Sequence, residues 1–88
     1  MSQDNTIKVL LADDHQIFRE GIVALLQDQN DIEIVAEAGN GSEVLDILRQ
    51  RTVDVILLDI KLPDMNGMQV AENLKEQYPA NKILVFTS

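Results

Sequence analysis

The sequence has no cysteine, no tryptophan and only three other aromatic residues among its 88 residues. The lack of cysteine excludes disulfide bonds, thiolate metal sites and cysteine nucleophiles. Because 45% of the residues are hydrophobic but only 3% are aromatic, the core has to be built from aliphatic side chains. A chain of this length holds one small domain, which buries a modest fraction of its surface and is expected to be marginally stable.

Basic residues are also scarce, since seven Lys and Arg stand against 15 Asp and Glu, for a formal charge of −8. Affinity for a duplex depends on basic side chains that neutralise phosphates, so this balance argues against direct contact with nucleic acid. The polar start, Met1–Thr6, leads into only a short apolar run, which predicts neither a signal peptide nor a membrane span. We therefore expect a cytoplasmic chain that makes no contact with a membrane.

Short apolar runs alternate along the chain with segments of helical periodicity. Four runs predict buried strands, and they cover Ile7–Ala12, Ile32–Ala36, Val53–Leu58 and Ile83–Phe86. Three helices are predicted between these strands. The first covers roughly His15–Gln27, the second follows Gly41, and the third ends before Pro79. Asn40 and Glu43 match a capping box at the start of the second helix. The partial alternation of the second strand is typical of an edge strand, whereas the third strand is apolar enough to be central.

This alternation of strands and helices through short loops predicts an α/β fold. Parallel strands joined by right-handed helical crossovers place helices on both faces of the sheet, in three α/β/α layers. The expected architecture is a doubly wound, flavodoxin-like sheet with strand order 2-1-3-4. We find no internal repeat and no linker, so residues 1–88 are expected to form one domain.

Acidic residues follow two of the predicted strands at the point where each strand ends. Asp13 and Asp14 come after the first strand, and Asp59 comes after the third. Ligands of open parallel sheets bind beyond the carboxyl ends of the strands where the strand order reverses, and these two strands are neighbours there. Asp14 alone would be typical of a helix N-cap, but three converging carboxylates repel one another unless a cation lies between them. Mg²⁺ suits such a site because it takes one or two carboxylates and leaves room for phosphate oxygens.

A carboxylate beside a metal ion can act as a nucleophile towards phosphorus and form an acyl phosphate. Asp59 follows an apolar strand, where burial of a charge without a partner would be costly, and it is therefore the candidate nucleophile. Thr87 follows the fourth strand on the same rim of the sheet. Its hydroxyl can donate to a phosphoryl oxygen, although a threonine at a strand end is also common for purely local reasons.

Three segments carry a family resemblance: Leu10–His15, Leu57–Gly67 and Val85–Thr87. Together they resemble the receiver domain of bacterial two-component response regulators. The acidic pair followed by His15, with Arg19, Gly21 and Leu25-Leu26, is similar to the NarL/FixJ-type branch, whose members usually carry a LuxR-type DNA-binding output domain. The resemblance extends over almost the whole chain.

The resemblance implies a role for each matching residue. Asp59 would accept a phosphoryl group from a phosphohistidine of a sensor histidine kinase, so the chain would be a phosphoprotein rather than an enzyme. Asp14, Asp59 and the backbone carbonyl of Lys61 would contact Mg²⁺, and Asp13 would act through a water. Thr87 would contact the phosphoryl group and report its presence. His15 is interpreted as the residue that follows the acidic pair rather than as a phosphodonor or a metal ligand.

Compared with a complete receiver, the sequence stops after the fourth strand. The resemblance implies that a fourth helix, a fifth strand bearing a lysine, a fifth helix and an output domain lie outside these 88 residues. We therefore expect an incomplete receiver in which Ile83–Phe86 lies uncovered at the edge of the sheet. An uncovered apolar strand favours pairing with another chain, so self-association through this edge is expected.

Two other functions stay open. The chain could act only as an interaction module that binds partners without being phosphorylated. It could also be an aspartate-nucleophile phosphatase of the haloacid dehalogenase type. That class places its nucleophile on the first strand with a second aspartate two residues later, and the residue two positions after Asp13 is His15, which argues against it.

Overall fold

The computed structural model describes residues 5–87. Its elements, in chain order, are β1 (Ile7–Ala12), α1 (Gln16–Leu26), β2 (Ile32–Ala38), α2 (Gly41–Gln50), β3 (Val55–Asp59), α3 (Gly67–Gln77) and β4 (Lys82–Phe86). The four strands are parallel and lie in the order β2-β1-β3-β4. The predicted α/β class, strand order and edge position of the second strand are confirmed.

The observed ends of β2, β3 and β4 differ slightly from the prediction, and β4 begins one residue earlier, at Lys82. β3 begins at Val55 rather than Val53, because the Asp54 carboxylate accepts a hydrogen bond of 2.8 Å from the Lys8 N–H. That bond fastens the start of β3 to the start of β1. β2 continues to Ala38, because its pairing with β1 extends to Ala12.

A bulge interrupts the pairing between β1 and β2. Val9 lies opposite Ile34, but the next residue of β1, Leu10, lies opposite Ala36, so Val35 has no partner in the ladder. The guanidinium of Arg51 donates to the carbonyl of this additional residue. Because an added residue reverses the alternation of side chains, Ile34 and Ala36 lie on opposite faces of the sheet.

One face of the sheet, which we name the α2/α3 face, carries the continuous core. Its members are buried aliphatic residues of strands, helices and loops: Leu10, Ala12, Ala38, Val44, Leu48, Val53, Ile56, Leu58, Leu62, Val70, Ala71 and Leu74. Each contributes apolar area removed from water, at about 25 cal/mol per Å². As the composition predicts, this core is entirely aliphatic.

The opposite face, which we name the α1 face, is covered much less completely. Val9 and Leu11 are buried there, but no residue of α1 itself is buried. Ile17 is 85% exposed and Leu25 is 74% exposed. The spacing of Phe18, Ile22, Leu25 and Leu26 in the sequence predicts one apolar face for this helix. The prediction is wrong for Leu25, whereas Ile22 and Leu26 are partly buried.

A helix cap in α2 and an aromatic contact between α1 and β4 also contribute to the fold. The side chain of Asn40 accepts a hydrogen bond of 2.9 Å from the Glu43 N–H, which confirms the N-cap of α2. The Glu43 carboxylate accepts from the Gly39 N–H at 2.7 Å rather than from the Asn40 N–H, so the return bond of the predicted capping box is displaced by one residue. Phe18 of α1 stacks on Phe86 of β4 with ring centroids 5.7 Å apart. Within residues 5–87, no helix is both long enough and apolar enough to cross a membrane.

Candidate functional site

The strand register brings the predicted acidic residues together at one end of the sheet. Ala12 of β1 lies opposite Leu58 of β3, so Asp13 and Asp59, the next residue of each strand, are neighbours. Ligand atoms of Asp13, Asp14, His15 and Asp59 all lie within 4.8 Å of one another. The convergence expected from the order of the strands is thus present in the fold.

Asp13 is the most deeply placed member of the acidic pair, with no solvent exposure. Its Oδ1 accepts a hydrogen bond of 2.8 Å from the His15 N–H, whereas its Oδ2 is buried without a hydrogen-bond partner among the described residues. A buried carboxylate oxygen without a partner is unfavourable, because the group has lost its hydration without a replacement. A cation or a bound water beside this oxygen would supply the missing partner.

Asp14 differs from Asp13 in being accessible. Its side chain is 33% exposed, so it can contact an ion that approaches from solvent and keeps part of its hydration shell. Consecutive residues thus supply one buried carboxylate and one carboxylate that solvent can reach. This arrangement suits an octahedral ion that retains several waters.

Asp59 ends β3 and is also fully buried. The Lys61 N–H donates a hydrogen bond of 2.9 Å to its Oδ1, so the turn that follows the strand fixes the orientation of the carboxylate. Hydrogen bonds to the charged form of a carboxylate stabilise that form. The structure thus shows how the Lys61 N–H orients the Asp59 carboxylate. The role of the Lys61 carbonyl as a metal ligand stays a prediction.

The turn after Asp59 depends on a glycine at the start of α3. A Cβ on Gly67 would lie 2.3 Å from the Ile60 Cα and 2.7 Å from the Asp59 carbonyl oxygen. The Gly67 N–H also donates to the Ile60 carbonyl at 3.1 Å. Only glycine permits so close an approach of two backbones. Gly67 therefore shapes the loop that follows Asp59.

Asp64, in the same loop, has a role that the sequence did not reveal. Its carboxylate accepts hydrogen bonds from the N–H groups of Gly41 at 2.7 Å and Ser42 at 3.1 Å, at the first turn of α2. The bond from Gly41 is the main cause that holds the pKa of Asp64 below its ordinary value, and burial opposes it. Aspartate is a favoured helix-capping residue, but here it caps a helix more than 20 residues earlier in the chain. A sequence pattern cannot reveal a cap over that separation.

Arg19 connects α1 to the acidic end of β1. Its Nη1 donates a hydrogen bond of 2.6 Å to the Asp13 carbonyl, and its Nε lies 3.3 Å from the Glu37 carboxylate on β2. The guanidinium therefore joins three elements beside the site. The sequence identified Arg19 only through the family resemblance, because nothing in its spacing predicts this contact.

Thr87 lies at the same end of the sheet. It directly follows Phe86, which is the register partner of Asp59, and the Ile60 N–H donates to the Phe86 carbonyl at 2.8 Å. Thr87 is exposed. The fold thus brings together the carboxylates of Asp13, Asp14 and Asp59 and places the hydroxyl-bearing residue on the neighbouring strand end.

The donor set fits a hard divalent cation. All three aspartates supply oxygen, the ligand type that Mg²⁺ prefers, and the Asp13 carboxylate of the cluster has a buried oxygen without a hydrogen-bond partner among the described residues. With the cysteine-free composition, thiolate coordination is excluded. A divalent cation would also reduce the repulsion among three converging negative charges.

Residues 9–88 match the response regulator receiver domain family. The chain is 40% identical over 83 residues to the response regulator protein VraR of Staphylococcus aureus, covering 94% of this chain and 40% of that protein. It is 36% identical over 84 residues to the transcriptional regulatory protein DegU of Brevibacillus brevis, covering 96% of this chain and 36% of that protein. The chain thus spans well under half the length of these curated relatives.

The fold is also similar to a solved structure of the isolated REC domain of RcsB from Salmonella enterica serovar Typhimurium, obtained in the presence of the phosphomimetic BeF₃⁻. The TM-score is 0.89 at 26% identity, covering 94% of this chain and 62% of that chain. These similarities agree with the strand order and the acidic cluster, and with the NarL- and LuxR-type branch. The chain therefore belongs to the response regulator receiver domain family, the phosphoacceptor domains of two-component signalling.

Proposed function

We propose that Asp59 accepts a phosphoryl group from a phosphohistidine of a sensor histidine kinase, with Mg²⁺ bound by the acidic cluster. The observation that carries this proposal is the juxtaposition of three aspartates whose ligand atoms lie within 4.8 Å, two of them fully buried at adjacent strand ends. Burial and like-charge repulsion are unfavourable for stability, so the arrangement is better explained by a ligand than by a structural role.

In the proposed reaction an Asp59 carboxylate oxygen attacks phosphorus. The bond between phosphorus and the donor histidine nitrogen breaks, its electron pair returns to the imidazole, and an acyl phosphate forms on Asp59. The Lys61 N–H holds the carboxylate in one orientation during the attack. Hydrolysis of the acyl phosphate by water would release inorganic phosphate and restore the carboxylate.

In this proposal Asp14, Asp59 and the Lys61 carbonyl hold Mg²⁺, and Asp13 acts through a bound water. When bound, the ion supplies positive charge that offsets the charge of the transferring group. The buried, unpartnered Asp13 Oδ2 supports its assignment to a water, because such an oxygen requires a hydrogen-bond donor. Thr87 would donate its hydroxyl to a phosphoryl oxygen, which is supported by its position one residue after the register partner of Asp59.

Phosphorylation from a small-molecule donor tests the assignment of Asp59. With Mg²⁺ and acetyl phosphate, the wild type is expected to gain one phosphoryl group by intact mass spectrometry, and Asp59→Asn is expected to gain none. Asp54→Asn, at the opposite end of the same strand, is the matched control and should behave like the wild type. Phosphorylation that persists in Asp59→Asn would overturn the assignment.

The same experiment separates the alternative functions. Continuous release of phosphate from unrelated monoesters would favour a phosphatase, and absence of any adduct would favour an interaction module. The control of a transcriptional output domain and the cytoplasmic location expected from the sequence stay predictions.

Self-association through β4 is a second part of the proposal. Among the described residues β4 pairs only with β3, and Leu84 and Val85 are 49% and 39% exposed on its two faces. An apolar strand with one unpaired side favours addition of another strand. Light scattering over a wide concentration range is expected to show a mass that rises with concentration, whereas a constant monomer mass would contradict the prediction.

A further inference from the structure

The imidazole of His15 belongs to the acidic cluster rather than standing beside it. Its Nδ1 lies 3.2 Å from the Asp13 Oδ1 and 3.1 Å from the Asp14 Oδ1. His15 is also the N-cap residue of α1, yet its side chain makes no capping hydrogen bond to that helix. The ring is instead directed back over the two carboxylates.

These separations match those between adjacent ligands of a divalent ion. An octahedral ion with bonds of about 2.1 Å holds neighbouring ligand atoms about 3.0 Å apart. The His15 Nδ1 lies 3.1 Å from the Asp14 Oδ1, which is close to the spacing of two neighbouring ligands of one ion.

The position of the ring is fixed by the backbone on one side and open to water on the other. The His15 N–H donates to the same Asp13 Oδ1 at 2.8 Å, which holds residue 15 against the acidic pair. The ring is 59% exposed, so water can hydrogen-bond to Nε2 when that atom carries the ring proton. Without an ion, Nδ1 lies at hydrogen-bond distance from the carboxylates and its N–H donates to them; a bound ion would replace the proton on Nδ1, and Nε2 would then carry the ring proton.

A further observation indicates that this cluster is built to bind a ligand. The Asp13 side chain has no solvent exposure and its Oδ2 has no hydrogen-bond partner among the described residues. An oxygen of the same carboxylate belongs to the group of ligand atoms that includes a nitrogen of the imidazole. The cluster therefore combines buried oxygen that lacks a partner with a nitrogen at ligand spacing.

We propose that His15 is a metal ligand that gives the site a preference for divalent transition-metal ions over Mg²⁺. This inference rests on the proposed metal site and adds a nitrogen donor to its oxygen ligands. Carboxylate and water suit Mg²⁺, whereas imidazole suits ions such as Co²⁺ and Ni²⁺. The structure thus revises the sequence interpretation, in which His15 was simply the residue after the acidic pair.

Calorimetric titration of the full chain with Co²⁺ and with Mg²⁺ tests this proposal. In His15→Gln the Kd for Co²⁺ is expected to rise roughly tenfold or more, while the Kd for Mg²⁺ changes less than about twofold. Gln16→Ala is the matched control, because the Gln16 amide bonds to Glu20 on α1 and lies outside the cluster. It should leave both affinities unchanged.

Cobalt-edge X-ray absorption of the wild type provides a second measurement that needs no variant. The sequence contains a single histidine, so imidazole scattering around bound Co²⁺ can come only from His15. A shell of oxygen alone would overturn the inference, as would equal losses of Co²⁺ and Mg²⁺ affinity in His15→Gln. If both ions bind but His15→Gln changes neither affinity, the inference fails and the proposed Mg²⁺ site stands. If the wild type binds neither ion, the proposed metal site fails as well.

Discussion

The two faces of the sheet differ in how completely they are buried. The α2/α3 face carries a continuous core that includes side chains of both helices and of the loop after Asp59. The α1 face has no buried helical residue, and its helix exposes Ile17 and Leu25. The acidic site lies at the end of the strands, so it adjoins both faces. We infer that the α2/α3 face holds the loop after Asp59 in position, while α1 contributes less to the free energy of unfolding.

The largest expected effect compares one leucine from each face. Leu74 of α3 is fully buried, and Leu74→Ala should reduce the free energy of unfolding by about 2–5 kcal/mol, because it leaves a cavity in the core. Leu25→Ala on α1 removes a side chain that is 74% exposed and should change it by no more than about 0.5 kcal/mol. Urea unfolding of both variants measures the difference. Similar losses would show that α1 is covered in solution and that the comparison is wrong.

The second-largest expected effect compares a glycine of α3, Gly67, with a glycine of α1, Gly21. Gly67→Ala places a Cβ within 2.3 Å of the Ile60 backbone and should reduce the free energy of unfolding by about 1–3 kcal/mol. It should also weaken acyl phosphate formation, because the displaced loop carries the Lys61 N–H.

Gly21→Ala on α1 is the control for this change. A Cβ there meets no atom within 4 Å. Alanine is the better helix former, so the variant should be more stable by about 0.5–1 kcal/mol. Thermal unfolding with matched phosphorylation assays tests both variants, and a destabilised Gly21→Ala would contradict the open character of α1.

The smallest expected effect concerns Asp64, in the loop after Asp59, whose carboxylate accepts hydrogen bonds from the start of α2. Asp64→Asn should be less stable than the wild type near neutral pH, because the charged carboxylate accepts two N–H groups at the start of α2. The folded-state pKa of Asp64 is lowered, so its contribution is present above the unfolded-state value of about 3.9 and is lost as pH falls through the folded-state pKa. The difference in urea midpoint should therefore narrow below about pH 4.

Asp46→Asn provides a matched control for the pH series. Its carboxylate is exposed and pairs with Arg49 within α2 rather than with another element. Such exposed pairs contribute little to stability. If the difference in urea midpoint between the wild type and Asp64→Asn stays constant with pH, the charge of Asp64 does not account for the loss of stability.

Much of the fold was predictable because its signals are local. Apolar runs such as Ile7–Ala12 and the Asn40 cap depend on neighbouring residues, and both agree with the structure. The convergence of Asp13 and Asp59 could also be predicted, because parallel strands end at the same edge.

The contacts that could not be predicted join residues far apart in the sequence. Asp64 capping α2 and Asp54 holding the start of β1 depend on how the elements pack, and helical periodicity alone did not reveal that Leu25 points away from the sheet. The position of the His15 ring over two carboxylates likewise follows from the path of the chain between β1 and α1. Residue type alone could not distinguish it from a solvent-facing histidine.

The bulge at Val35 has a consequence for how this sequence tolerates insertions and deletions. Ile34 faces the α1 side, whereas Ala36 and Ala38 serve the core on the opposite side, although all three have the same parity in the chain. Deleting Val35 would make Ile34 and Ala36 consecutive, so it would restore a regular ladder with both halves of β2 on their present sides of the sheet. The facing of β2 should therefore survive this deletion, and its cost would be the loss of the Val35 side chain packed against the core and of the carbonyl to which Arg51 donates.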